Sequence, residues 1–257
     1  MGNLSNIGRI FFGISIAIMG LLTIYYGDFP YMLIPPKHSG IPGIRILAYV
    51  SGVMLTLAGA GIAFEKRIRP ISLLLGSVLL LIFCFWFIPY QLLISPNYMH
   101  FGDWENAAKE LTLASGALVI AGCYSGNNEN TLIRSLSKVI PSGIILFSLT
   151  IISYGADHFL YAKEAANYVP SWVPNHLFWV YAGGVGLAGA GLAIILKIKV
   201  ELFATLLGSM ILTWFIILHI PRIVVSPVAY LGSEIASAFL ALAYSGIAFV
   251  IAGMAKK

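Results

Sequence analysis

The chain has 257 residues, of which 59% are apolar and only 10% charged, with a formal net charge of +5. Soluble domains carry about 25% charged residues, so most of this chain has lipid for its solvent. The basic residues stand at the ends of apolar runs, where they report membrane topology and exclude nucleic acid as a partner. The two cysteines, Cys84 and Cys123, form no CxxC and exclude a thiol–disulfide mechanism.

A helix needs about 20 apolar residues to cross the hydrocarbon core. Eight segments meet that length, at 8–27, 44–64, 70–94, 107–124, 139–161, 176–196, 200–221 and 232–254. The first begins near Arg9 like a secretory signal, but its run is long and has no clear small-residue cleavage site, so a retained span is expected. Gly52, Gly59 and Gly61 in the second span and the glycines of 183–191 in the sixth allow close helix approach. Those two spans are predicted to be the central, tightly packed members.

The chain repeats itself. LTLAGAGIAFEKRIR (55–69) matches GLAGAGLAIILKIK (186–199), and Ile88-Pro89 followed by Ser95-Pro96 matches Ile220-Pro221 followed by Ser226-Pro227. The period is about 131 residues, a tandem duplication of a four-helix unit with parts at 1–130 and 131–257. An even number of spans per unit makes the repeat parallel rather than inverted. The predicted fold class is therefore all-α integral membrane, with eight transmembrane helices as two parallel-repeat four-helix bundles.

Orientation follows from Lys and Arg. With the N-terminus inside, the inner loops hold Arg9, Lys66, Arg67, Arg69, Arg134, Lys138, Lys197, Lys199, Lys256 and Lys257, against Lys37, Arg45, Lys109, Lys163 and Arg222 outside. Both termini are expected in the cytoplasm, and the localisation is the cell (inner or plasma) membrane. On this map His38, His100, His158, His176 and His219 all fall on the outer side, with Asp28, Asp103, Glu105, Glu110, Asp157, Glu164 and Glu234. The polar chemistry is thereby predicted to form an outward-facing pocket, centred on Tyr154 to Tyr181.

Candidate ligand-binding residues are taken from that face. Asp157 and His158 end the fifth span, where titratable groups tend to face a bundle interior or a wet cavity; the alternative is a helix cap or free hydration. His219 and Arg222, three residues apart in HIPR, share a helix side. An outer arginine runs against the charge bias and calls for an acid or an anionic ligand, or else it snorkels to the headgroups. Glu110 lies inside the fourth span and needs a partner, Arg45 or Lys109 being the cations in reach, and an internal ion pair is the structural alternative. Trp172 sits in PSWVP, where two prolines fix a rigid loop able to lie over the pocket. No HxxxH or HxxE pair sits on one helix, so no metal site is expected.

The ordered motifs GADHFLY, VPSWVP, FWVYAGG, HIPR and ALAYSGIAF resemble the DoxX-like integral membrane protein family, as do GLLTIYYGDF, LAYVSG and NAAKELTLASGAL in the first half. The resemblance covers nearly the whole chain and implies a four-helix membrane bundle, here in duplicate. A histidine usual in the family's opening span corresponds to His158, with Thr23 at the matching place. A glutamate common in its last span corresponds to Glu110, with Leu240 at the matching place. One composite site, or one degenerate site, is implied rather than two equal ones. The family association is with quinone-linked redox systems and with partners of redox proteins. The expected function is thus a redox- or quinone-associated membrane subunit, quinone being the only cofactor suggested and a membrane or redox protein a partner besides the bilayer. The alternatives are a non-catalytic scaffold or assembly partner and, third, a small-molecule transporter.

Overall fold

The computed structural model describes residues 2–35, 40–126, 129–226 and 232–256; Lys37, His38, Pro227 and Lys257, used above, lie outside them. Among the described residues every regular element is helical, with no strand. The helices are α1 (Asn3–Tyr26), α2 (Ile44–Ala63), α3 (Ile68–Ile82), α4 (Ile88–Leu93), α5 (Glu105–Gly122), α6 (Thr131–Leu136), α7 (Ser142–Leu160), α8 (Ala162–Ala166), α9 (His176–Ile195), α10 (Val200–Trp214), α11 (Ile220–Val225) and α12 (Ser233–Ala255). Seven helical stretches among the described residues are long and apolar enough to span a bilayer, which makes the chain a multi-pass membrane protein.

The predicted fourth span is not among the seven. It falls on α5, which has only 18 residues and carries Glu105, Lys109 and Glu110. Past its first turns α5 is buried almost all round, from Thr112 to Ala121, by α3, α7 and α12. A helix buried in protein can keep charges that lipid would reject. The expected centre of the bundle is also corrected. In the spanning window, 22% of α2 is buried against 78% of α12. Gly52 and Gly59 do permit close approach, but on one face only, against Gly20 and Gly13 of α1; the rest of α2 faces outward. Helices α5 and α12 hold the centre.

Helices from either side of residue 130 interleave. α1 pairs with α2 and also lies along α12, and α7 pairs with α9 and also lies against α5. One apolar core, containing Phe12, Leu113, Phe147, Leu207 and Ile247, draws on both parts. Ser5 abuts Gly253, Gly8 abuts Gly246, and Gly232 lies against Tyr26. α1 and α12 are therefore antiparallel, and the two chain ends share one end of the bundle.

Two prolines reshape the helices that contain them. A proline ring clashes with the carbonyl four residues back and has no N–H to donate. The chain answers before both Pro89 and Pro221 with a wider π turn, at Phe83–Phe87 and Phe215–His219, in which Ile88 and Ile220 N–H reach the carbonyls of Phe83 and Phe215. The turns after α2 and α9 also share one backbone. Glu65 and Arg67 have φ of 60° and 46°, and Lys197 and Lys199 have 57° and 40°. Lys66 N–H bonds to Gly61 O at 2.8 Å and Ile198 N–H to Ala193 O at 2.9 Å.

At the end that carries the chain termini, basic residues close helix ends. Arg9 is 3% exposed. Its guanidinium donates to the carbonyls of Ile62 and Ala63 at the end of α2 and pairs with Glu65 at 2.9 Å. Arg69 donates to Ala121 O at 3.0 Å and Tyr124 O at 2.8 Å, past the end of α5, and to Glu129 at 2.6 Å. Cations at helix C-termini satisfy free carbonyls and complement the helix dipole.

Candidate functional site

The helix pairs α7/α9 and α10/α12 enclose a cavity of about 890 Å³ at the end of the bundle opposite the chain termini. α5, α8, α11 and the turns beside them contribute its remaining walls. Ligand sites for small molecules occupy roughly 300–1,000 Å³, so the volume admits a head group and part of an apolar tail.

Its deep wall is aromatic. Tyr154 of α7 and Tyr244 of α12 stack with ring centroids 5.8 Å apart, and their hydroxyls share a hydrogen bond of 3.2 Å. Nearer the α9–α10 seam, Trp179 and Trp214 meet edge to face at 6.4 Å. One turn along α7 from Tyr154, His158 Nδ1 lies 2.7 Å from the Tyr154 carbonyl. A carbonyl only accepts, so Nδ1 carries the proton, and in the neutral ring Nε2 is the acceptor. Gly183 of α9 borders that edge of the ring; a Cβ there would lie 3.6 Å from Nε2. Asp157 also lines the cavity, and its Oδ1 is enclosed with no donor among the described residues. It does not cap a helix N-terminus: its backbone carbonyl accepts from Tyr161 N–H as α7 ends.

The opposite wall comes from the π turn. His219, its last residue, faces the cavity with Nδ1 buried and without a partner among the described residues. Arg222 follows on α11 and is already engaged. Its Nε donates to Glu234 Oε2 at 2.8 Å, its second amino group donates to Oε1, and the guanidinium lies 4.5 Å over the Tyr168 ring. Such a bidentate pair satisfies both ions. Lys109 is engaged likewise, 3.1 Å from Glu105. At the rim, Tyr161 O–H lies 3.3 Å from His100 Nε2 and accepts from Gly102 N–H at 3.1 Å, fastening the 3₁₀ turn Phe101–Trp104 to the end of α7.

Asp157, His158, His219 and Arg222 thus surround one cavity, whereas Glu110, Arg45 and Trp172 lie away from it. Glu110 follows Lys109, and one residue turns about 100° around a helix. Lys109 therefore faces the cavity while Glu110 points into the core, fully buried, with neither oxygen partnered among the described residues. Arg45 is exposed on α2, whose main packing partner is α1, and forms no ion pair with Glu110. Trp172 is 69% exposed. The PSWVP turn docks through Val169 and Val173 onto Ala162 and Val180, which directs the tryptophan outward instead of over the cavity.

Residues not among the seven candidates complete the site. Tyr154 precedes Asp157 by three residues, a spacing that signals a shared face. Tyr244 is a hydroxyl-bearing residue deep in the last apolar run, which is itself a signal. For Arg222 the charge bias calls for an acid, and Glu234 is the one it meets. The first half differs at the matching place: Phe87, buried, stands where His219 does, and Phe29, Met32, Leu33 and Ile34 are packed into the core. A hollow of about 240 Å³ lies there, between α4 and α5. Among the described residues no group of His, Cys, Asp and Glu has the makings of a metal site.

Comparisons of the chain with protein-family models, with curated proteins and with solved structures returned no match.

Proposed function

We propose that this chain is a DoxX-like membrane subunit whose cavity opens to the outer side of the cell membrane and binds a quinone-type amphiphile. In this reading both termini are cytoplasmic and the protein serves a redox assembly. The observation that carries it is the cavity itself, of about 890 Å³, with aromatic side chains around it and a small set of polar groups at one end. Planar rings stack on aromatic walls, and the Tyr154–Tyr244 pair and His219 offer hydrogen bonds to ring oxygens, with His158 beside them. An anionic ligand, one of the expectations from Arg222, is not favoured, because both cations that face the cavity already hold carboxylates.

The test is a titration of the solubilised protein with a decyl-substituted benzoquinone, read by quenching of tryptophan fluorescence. Trp179 and Trp214 line the cavity, so saturable quenching is expected. Gly183→Leu, which projects a side chain beside His158, abolishes the saturable part. Quenching that rises linearly with quinone in both proteins means partition into the detergent and refutes the reading. Co-isolation of a stoichiometric protein with no ligand would favour a scaffold.

A further inference from the structure

We infer that the cavity selects the hydrogen-bond-donating form of its ligand, a hydroquinone-type phenol, held by Asp157 and His158. The inference rests on the quinone-site reading and adds a redox-state preference to it.

Three independent features lead there. The first is the tautomer of His158: with Nδ1–H committed to the Tyr154 carbonyl, the nitrogen left at Nε2 accepts. The second is Asp157, on the adjacent position of α7, which lines the cavity with Oδ1 enclosed and no donor in reach among the described residues. An ionised carboxylate is acceptor-only. Two neighbouring acceptors on one wall call for O–H or N–H groups on what binds.

The third is charge. The described cavity lining carries five carboxylates (Asp103, Glu105, Asp157, Glu164 and Glu234) against two cations, Lys109 and Arg222. Both cations are paired, with Glu105 and Glu234. An anion would meet uncompensated carboxylates. An oxidised quinone carries no such repulsion, but its ring oxygens are acceptors that face acceptors at Asp157 and His158. The free proton of the tyrosine pair and His219 do not discriminate, since a phenol oxygen accepts from them as a quinone oxygen does. The reduced ring turns each carbonyl into an O–H that donates to the waiting acceptor. Buried acceptors left without donors weaken binding, and the difference amounts to about tenfold or more in favour of the reduced form.

The experiment uses the full chain under anaerobic conditions. The decyl-benzoquinone that quenches tryptophan fluorescence is bound first, then displaced with the matching decyl-benzohydroquinone or with decyl sulfate. The hydroquinone is expected to displace at a concentration about tenfold below the quinone's own Kd, and decyl sulfate is not expected to displace. Asp157→Ala and His158→Phe each remove an acceptor, so the preference for the reduced form falls toward equality, chiefly through weaker binding of the hydroquinone. Equal or tighter binding of the quinone by the wild-type protein overturns the inference and leaves the pocket reading standing, and this comparison needs no variant to fold. Displacement by decyl sulfate overturns it too. Saturable binding by neither redox form overturns both this inference and the quinone-site reading.

Discussion

Replacing Glu234 by glutamine keeps the side chain's shape and removes the negative partner of Arg222. In the wild-type protein the guanidinium is held bidentately by Glu234, with 33% of the arginine and 17% of the glutamate side chain exposed. Removing the carboxylate leaves a positive charge beside the cavity with no ion to meet it. Two unit charges about 4 Å apart interact by about 4 kcal/mol at an effective dielectric near 20. The one-third exposure of Arg222 reduces this by solvent screening to about 1–2 kcal/mol, which is roughly five- to thirtyfold in affinity for an anion. Glu234→Gln is therefore expected to turn a cavity that ignores decyl sulfate into one that binds it, and raised ionic strength weakens the new binding. The assay is displacement of bound decyl-benzoquinone, run in parallel on Arg222→Gln, which gains nothing. Tight binding of decyl sulfate by the wild-type protein, or no gain in Glu234→Gln, refutes the argument that the ion pair sets the charge of the cavity.

Other expectations follow from the same structure. Arg9→Leu strips two carbonyls at the end of α2 of their donor, at about 2–4 kcal/mol, with nothing credited to the half-exposed Glu65; the thermal midpoint in detergent falls, and an unchanged midpoint contradicts the capping role. Glu110→Leu removes a fully buried, unpartnered carboxyl outside the cavity, so saturable quinone quenching is retained and the thermal midpoint does not fall. For topology, a cysteine at Glu164 should label with a membrane-impermeant maleimide in intact cells, while one at Arg134 labels only after lysis; the reverse pattern contradicts the proposed orientation.

Apolar run lengths placed most helices within a few residues, because a hydrocarbon core demands a fixed length. They also placed Asp157, His158, His219 and Arg222 at one depth. Depth, however, says nothing about which way a residue faces around its helix. Lys109 and Glu110 are adjacent in sequence and share a depth, yet one lines the cavity and the other is sealed in the core. Direction is set by neighbours that pack from far along the chain, and the Tyr154–Tyr244 contact, 90 residues apart, shows why it stays hidden. Trp172 was misplaced for a related reason. Its flanking prolines signal a rigid turn, but Val169 and Val173 decide which side of that turn is buried. Pro89 and Pro221 were legible as repeat markers within the third span and at the end of the seventh, whereas the π turns before them, which set His219 at the cavity, depend on the helix continuing through them.

The most direct test of the ligand-site account is native mass spectrometry, with extraction of bound small molecules, on gently solubilised wild-type protein, His158→Ala and His219→Ala. The account predicts a quinone-class molecule accompanying the wild-type protein and depleted in both variants. The same bulk lipid, or the same protein partner alone, on all three would contradict it and make the histidines boundary residues of a scaffold.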